Sequence, residues 1–110
     1  MSLDEESDFQ HISDIDKLIH EPSRLAILTQ LYIVDKADFL FLLPQTGLTT
    51  GNLSRHISKL EDAGYVKVEK EFLGKKPHTV IQLTERGKEV FRKYIMNMKE
   101  IMNELSEVES

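Results

Sequence analysis

Between Thr49 and Lys59 the chain sets one guanidinium among small hydroxyl and amide side chains: Thr49, Thr50, Gly51, Asn52, Ser54, Arg55, Ser58 and Lys59. The chemistry open to such a set is hydrogen-bond recognition. Arg55 can fork onto the O6 and N7 of a guanine, or grip a phosphate with two N–H groups. Thr50, Asn52, Ser54 and Ser58 can bond to base edges or to phosphates. Lys59 adds a charge that positions without specifying. Small donors around one arginine can enter a duplex major groove without a clash.

The neighbouring residues say how this set is presented. In LTTGNLSRHISKLEDAGYV (48–66), Leu53, Ile57 and Leu60 fall at i, i+4 and i+7, one helix face packed on a core. A turn of about 100° per residue puts Gly51, Arg55, Ser58 and Asp62 on the opposite face, with Ser54 and Lys59 on its flanks. Thr49 is the expected N-cap, and the early amides near Thr50 and Gly51 are placed to receive a phosphate. Gly64 is the expected left-handed stop, after which Tyr65 and Val66 begin an extended segment. His56 lies beside the buried stripe, where a hydrogen-bonded structural role is expected rather than a ligand role.

The rest of the chain must supply that core. At 110 residues, 40% hydrophobic and 30% charged, the chain has the composition of one globular domain. Residues 1–10 read as an acidic, partly disordered leader without the apolar segment of a signal peptide. Ile12, Ile15, Leu18 and Ile19 predict a short helix. Pro22 opens the next, whose Leu25, Ile27, Leu28, Leu31 and Tyr32 make it the central core helix. Asp35 and Lys36 are expected in a turn, with Asp38 as a cap. Phe39 to Leu43 is read as a short helix packed on most sides and ended or bent by Pro44, the alternative being a buried strand. Gln45-Thr46-Gly47 then turns the chain into the 49–63 helix, a helix-turn-helix layout.

Beyond Gly64, Val66, Val68, Lys70 and Phe72 alternate with Lys67, Glu69 and Glu71, the pattern of a half-buried strand. Leu73 to His78 is expected as a turn and Thr79 to Leu83 as the returning strand, giving a hairpin tipped by Lys75 and Lys76. Thr84 should cap a long final helix from Glu85 to about Glu107. Its apolar residues Phe91, Tyr94, Met98, Ile101, Leu105 and Val108 step by three and four, with Ile95 and Met102 broadening the stripe. The stripe either pairs with a second copy, together with Ile12, Ile15 and Ile19, or docks on its own core.

At these positions a resemblance appears. SRHISKLEDAGYV (54–66), a following hairpin, QLTERGKEVF (82–91) and, upstream, HEPSRLAILTQL (20–31) together resemble MarR/ArsR-type winged-helix transcriptional regulators over residues 12 to 95. The fold this implies is α+β, a winged helix-turn-helix over 11–83 with a C-terminal dimerisation helix over 84–110. The function it implies is a homodimer on a palindromic site in double-stranded DNA, in the cytoplasm. The 49–63 helix would lie in the major groove and the 66–83 wing on flanking DNA. Resemblance to MarR further implies a small-molecule effector, with Phe39, Phe41, Phe91 and Tyr94 as lining residues unless core packing accounts for them. Ile12, Ile15, Ile19, Phe91, Tyr94, Ile95, Met98, Ile101, Met102 and Leu105 are the dimer-interface candidates.

Charge distribution agrees with this reading better than the net charge of −5 suggests. Residues 1–48 carry three basic and nine acidic side chains, residues 49–93 ten and six, and residues 94–110 one and four. The basic surplus falls on the proposed DNA face. Other chemistries find no residues. The absence of cysteine removes thiolate metal sites, disulfides and cysteine nucleophiles, and the four scattered histidines lack metal-ligand spacing, so neither a metal nor a cofactor is expected. There is no glycine-rich phosphate loop and no Gly-x-Ser-x-Gly, so an enzyme is not expected. The alternative is a winged-helix module that binds a protein partner instead of DNA.

Overall fold

In the computed structural model, which describes residues 15–109, Glu21 caps helix α1 (Pro22–Val34) by accepting the Arg24 amide at 2.8 Å, with Pro22 at its first turn. Ile27, Leu28 and Leu31 on this helix are fully buried and form the centre of the core. Residues 15–20, expected to be helical, form bends and turns in which Asp16 accepts the amides of Leu18 and Ile19. The leader and Ile12 lie outside the described residues.

Asp35 ends α1 in a positive-φ conformation (φ 71), and the chain continues directly into strand β1 (Lys36–Asp38) where a turn was expected. β1 pairs antiparallel with β3, Ala37 opposite Ile81, and the sheet runs in the order β1-β3-β2. Asp38 caps helix α2 (Phe39–Thr46) by accepting the Leu40 amide at 2.7 Å, which decides the segment as a helix rather than a strand. Pro44 sits inside α2, and left-handed Gly47 closes it two residues after Gln45. The expectation that α2 packs on most sides is corrected. Only Leu42 is fully buried, while Leu40 and Phe41 are exposed, because the helix rests on α1 along one side.

Helix α3 (Thr50–Asp62) follows with Thr49 as its cap, and Leu53, Ile57 and Leu60 face inward. Strands β2 (Val66–Leu73) and β3 (Lys76–Leu83) form the wing. The turn is shorter than expected: it is Gly74-Lys75 alone, with positive φ only at the first of the two, the sign pattern of a type II′ hairpin turn. Pro77 and His78 therefore belong to β3. Pro77 is tolerated there because β1 pairs β3 only from Val80 to Gln82, leaving one edge free at Pro77. The expected alternation also stops early. Val66 is buried and Val68 half-buried, but Phe72 is 68% exposed, since the hairpin has by then run past the core.

Helix α4 (Glu85–Glu109) begins at Thr84, whose hydroxyl accepts the Gly87 amide at 2.9 Å and donates to the Gly64 carbonyl at 2.6 Å. Gly87 lies against the Tyr65 backbone, where a Cβ would come within 2.0 Å of the Tyr65 carbonyl oxygen, so only glycine allows the helix this close. These elements make a winged helix with a three-stranded sheet and a long C-terminal helix. Its extents of 63 × 24 × 22 Å reflect the distal part of α4.

Candidate nucleic-acid interface

Arg55 and Asn52 stand one turn apart on the open face of α3, and Arg55 Nη2 donates to Asn52 Oδ1 at 3.2 Å. Among the described residues no acidic side chain pairs with Arg55 or Lys59, so both charges are available to a ligand. Thr50, Gly51, Ser54 and Ser58 are exposed on or beside the same face. The Thr49 oxygen accepts the Asn52 amide at 3.2 Å, so Thr49 is occupied as a cap. The amides of Thr50 and Gly51, in the first turn, have no intrahelical acceptor.

Behind this face lies a buried polar clamp that the sequence did not disclose. Arg24 Nη1 donates to His56 Nδ1 at 3.1 Å, and Arg24 Nε donates to the Leu18 carbonyl at 2.5 Å. Arginine has no acceptor, so His56 accepts on Nδ1 and carries its proton on Nε2. Glu21 Oε2 stands 3.8 Å from both Arg24 Nη1 and His56 Nδ1. Burial, with help from the Arg24, Arg55 and Lys59 charges and against the pull of Glu21, holds the His56 pKa below that of free imidazole. Partial burial raises the Glu21 pKa, yet the amide bonds from Arg24 and Ser23 and the nearby charges outweigh it and leave a net lowering. The clamp ties α3 to the start of α1 and fixes which side of α3 faces out. His56 thus has the bonded structural setting expected of it. The only sequence trace of the clamp is the Glu-x-x-Arg spacing of 21–24, which reads equally well as a helix start.

The wing carries Lys75 and Lys76 on a separate element, exposed and without acidic partners among the described residues. It is braced. His78 Nδ1 pairs with Asp38 Oδ2, and Lys36 Nζ meets Glu71 Oε1 at 3.0 Å. On the far side, Lys88 Nζ forms an ion pair with Asp35 Oδ1 at 2.9 Å and Gln82 Nε2 donates to Asp35 Oδ2 at 2.9 Å, which together lower the Asp35 pKa.

The dimer candidates divide. Ile19, Phe91 and Tyr94 are buried within the single chain, because they fill the space between α1 and the proximal part of α4, and so have little surface left for a partner. Ile95, Met98 and Ile101 are half-buried, and Met102 and Leu105 are exposed. Between α1 and α4 runs an open apolar groove of about 510 Å³ lined by Tyr32, Ile33, Phe91, Ile95, Met98 and Met102. The four aromatic residues considered for an effector pocket do not share one. Phe91 and Tyr94 line this groove, whereas Phe41 lines a separate hollow beside Val34 and Ala37. Among the described residues no cluster of His, Asp or Glu has the arrangement of a metal site, and no helix is long and apolar enough to cross a membrane.

A helix-turn-helix with a basic hairpin beside it defines a winged-helix protein. The model of the winged helix DNA-binding domain family matches residues 23–102, and the chain belongs to that family. An uncharacterized protein of Methanocaldococcus jannaschii is 32% identical over 85 residues, 77% of this chain and 92% of its own. A transcriptional regulator homologue from Pyrococcus horikoshii OT3 superposes with a TM-score of 0.81 at 30% identity, covering 90% of this chain and 97% of that one. A MarR-family regulator from Silicibacter pomeroyi shares the fold, with a TM-score of 0.65 at 17% identity over 92% of this chain and 67% of its own.

Proposed function

We propose that this DNA-binding domain is a sequence-specific transcriptional regulator without catalytic activity. It acts in the cytoplasm as a homodimer on a palindromic duplex site. The observation that carries the reading is the outer face of α3, where Arg55 and Lys59 stand exposed without acidic partners among the described residues. In this reading α3 enters the major groove. Arg55, supported by Asn52, reads a base, while Thr50, Ser54 and Ser58 bond to bases or phosphates. Lys59, Lys75 and Lys76 meet the backbone. Two copies pair through the distal part of α4, using Ile95, Met98, Ile101, Met102 and Leu105 against the α1–α4 groove of the partner. The two recognition helices then lie in successive major grooves, about 34–36 Å apart along the duplex. A small apolar effector that occupied the same groove would compete with that pairing and alter DNA affinity.

Binding of the full chain to random-sequence duplex DNA at rising salt tests the reading. The expected result is a log–log fall in affinity with a slope of about −0.9 for each phosphate contacted. A module that binds proteins through this face instead would retain no duplex even at low salt.

A further inference from the structure

The tip of the wing is apolar as well as basic. Phe72 is 68% exposed and Leu73 69% exposed, the last two residues of β2 before the Gly74-Lys75 turn. On the core-facing side of β2, the column Val66, Val68, Lys70, Phe72 leaves the core after Val68, so the described residues leave most of the Phe72 ring uncovered. Opposite Phe72 in the register stands Pro77, and opposite Leu73 stands Lys76. The end of the hairpin is thus apolar on both faces, with Phe72 beside Pro77 on one and Leu73 beside Lys76 on the other, and Lys70 and Lys75 close by.

Two further features select the occupant. Glu71, the acidic side chain nearest the tip, is neutralised by Lys36, so the charge offered at the end of the hairpin is positive and fits a polyanion. The ribbon is also fully paired. Its pairing is continuous from Val66–Leu83 to Leu73–Lys76, and the Asp38–His78 pair braces it two rungs from its closed end. A continuously paired basic ribbon with bulky apolar side chains at its end has the parts of a minor-groove wedge, in which lysines hold the phosphates while an apolar side chain parts a base step.

We propose that Phe72 and Leu73 form such a wedge. They enter the minor groove flanking the site read by α3, unstack a base step there and bend the duplex. The wedge confers a preference for flexible TA or CA/TG steps at that position, with no base-edge hydrogen bond to Phe72 or Leu73. It rests on the DNA-binding reading above and adds the wing as a second source of specificity.

The test uses the full chain and a duplex that it retains from a random-sequence pool, with a donor and an acceptor dye on the duplex ends. Wild type is expected to shorten the end-to-end distance on binding and to favour a TA step in the flank by about tenfold over a flank lacking pyrimidine–purine steps. Phe72→Ala with Leu73→Ala, both exposed and harmless to the fold, should abolish the shortening and the flank preference while keeping discrimination within the central site. Phe72→Met with Leu73→Met should restore part of both. Unchanged bending and flank preference in the alanine variant would overturn the wedge and leave the DNA reading standing. Loss of the dimer mass in sedimentation, with bending per bound dimer unchanged, would overturn it in favour of a protein contact. Failure of wild type to retain any duplex would overturn both readings together.

Discussion

The apolar face of α3 is closed by its own chain, with Leu53 and Leu60 fully buried, whereas the apolar stripe of α4 beyond Met98 stays open, with Met102 60%, Leu105 57% and Val108 84% exposed. Both helices are amphipathic with similar spacing, yet they present opposite chemistry to the surroundings. On α3 the uncovered side is polar and bears Arg55 and Lys59, which suits an anionic, hydrogen-bonding partner. On distal α4 the uncovered side is apolar and suits a second hydrophobic surface. Helical periodicity marks a stripe, while the neighbouring elements decide which side remains for a partner.

The contrast is sharpest in stability. Leu60→Ala should cost about 2–5 kcal/mol in denaturant unfolding, because it leaves a cavity under α3. Leu105→Ala in the isolated monomer should change stability by less than about 0.5 kcal/mol, as a surface substitution does. Equal costs at the two positions would break the comparison.

The open stripe is tested by charge. Ile101→Glu with Leu105→Glu should give a folded monomer in sedimentation, since two carboxylates per protomer would be buried unpaired in the paired stripe. A dimer mass that persists would place the interface elsewhere.

The closed side of α3 is tested by pH. The pKa of His56 is lowered in the folded chain by burial and the neighbouring cations, while in the unfolded chain it lies near about 6.5. The unfolded state therefore binds the proton more readily. The stabilising effect of neutral His56 is complete above about 6.5 and is lost as pH falls from there through the lower folded value. Glu21, Arg24, Arg55 and Lys59 are the charges that set this window. His56→Gln should flatten the decline in thermal stability between neutral and mildly acid pH.

The parts of this fold set by local spacing were legible in the sequence, and the parts set by contact between distant segments were not. Leu53, Ile57 and Leu60 repeat at helical spacing, Thr49 and Thr84 are capping types, and Gly64 is at a helix stop, so α3 and the start of α4 could be read residue by residue. β1 was missed because three residues show no period, and its existence depends on β3 more than forty positions away. Phe72 was assigned to the buried side because alternation says which side faces inward but not where the core ends. The α4 stripe read as continuous because spacing alone does not distinguish Phe91 and Tyr94, packed on α1, from Leu105, which projects beyond it. The Arg24–His56 clamp joins two helices 32 residues apart and leaves no local pattern beyond the ambiguous Glu21–Arg24 spacing.

If the outer face of α3 reads base sequence, Arg55 is the residue whose loss shows it. The most direct measurement is competition binding of wild type and Arg55→Ala against two duplexes, one that wild type retains from a random pool and one with a single base pair changed in its central site. Arg55→Ala should lose about 1–3 kcal/mol on the retained duplex and no longer distinguish the two at one changed position. Equal affinity and equal discrimination in the two proteins would contradict it.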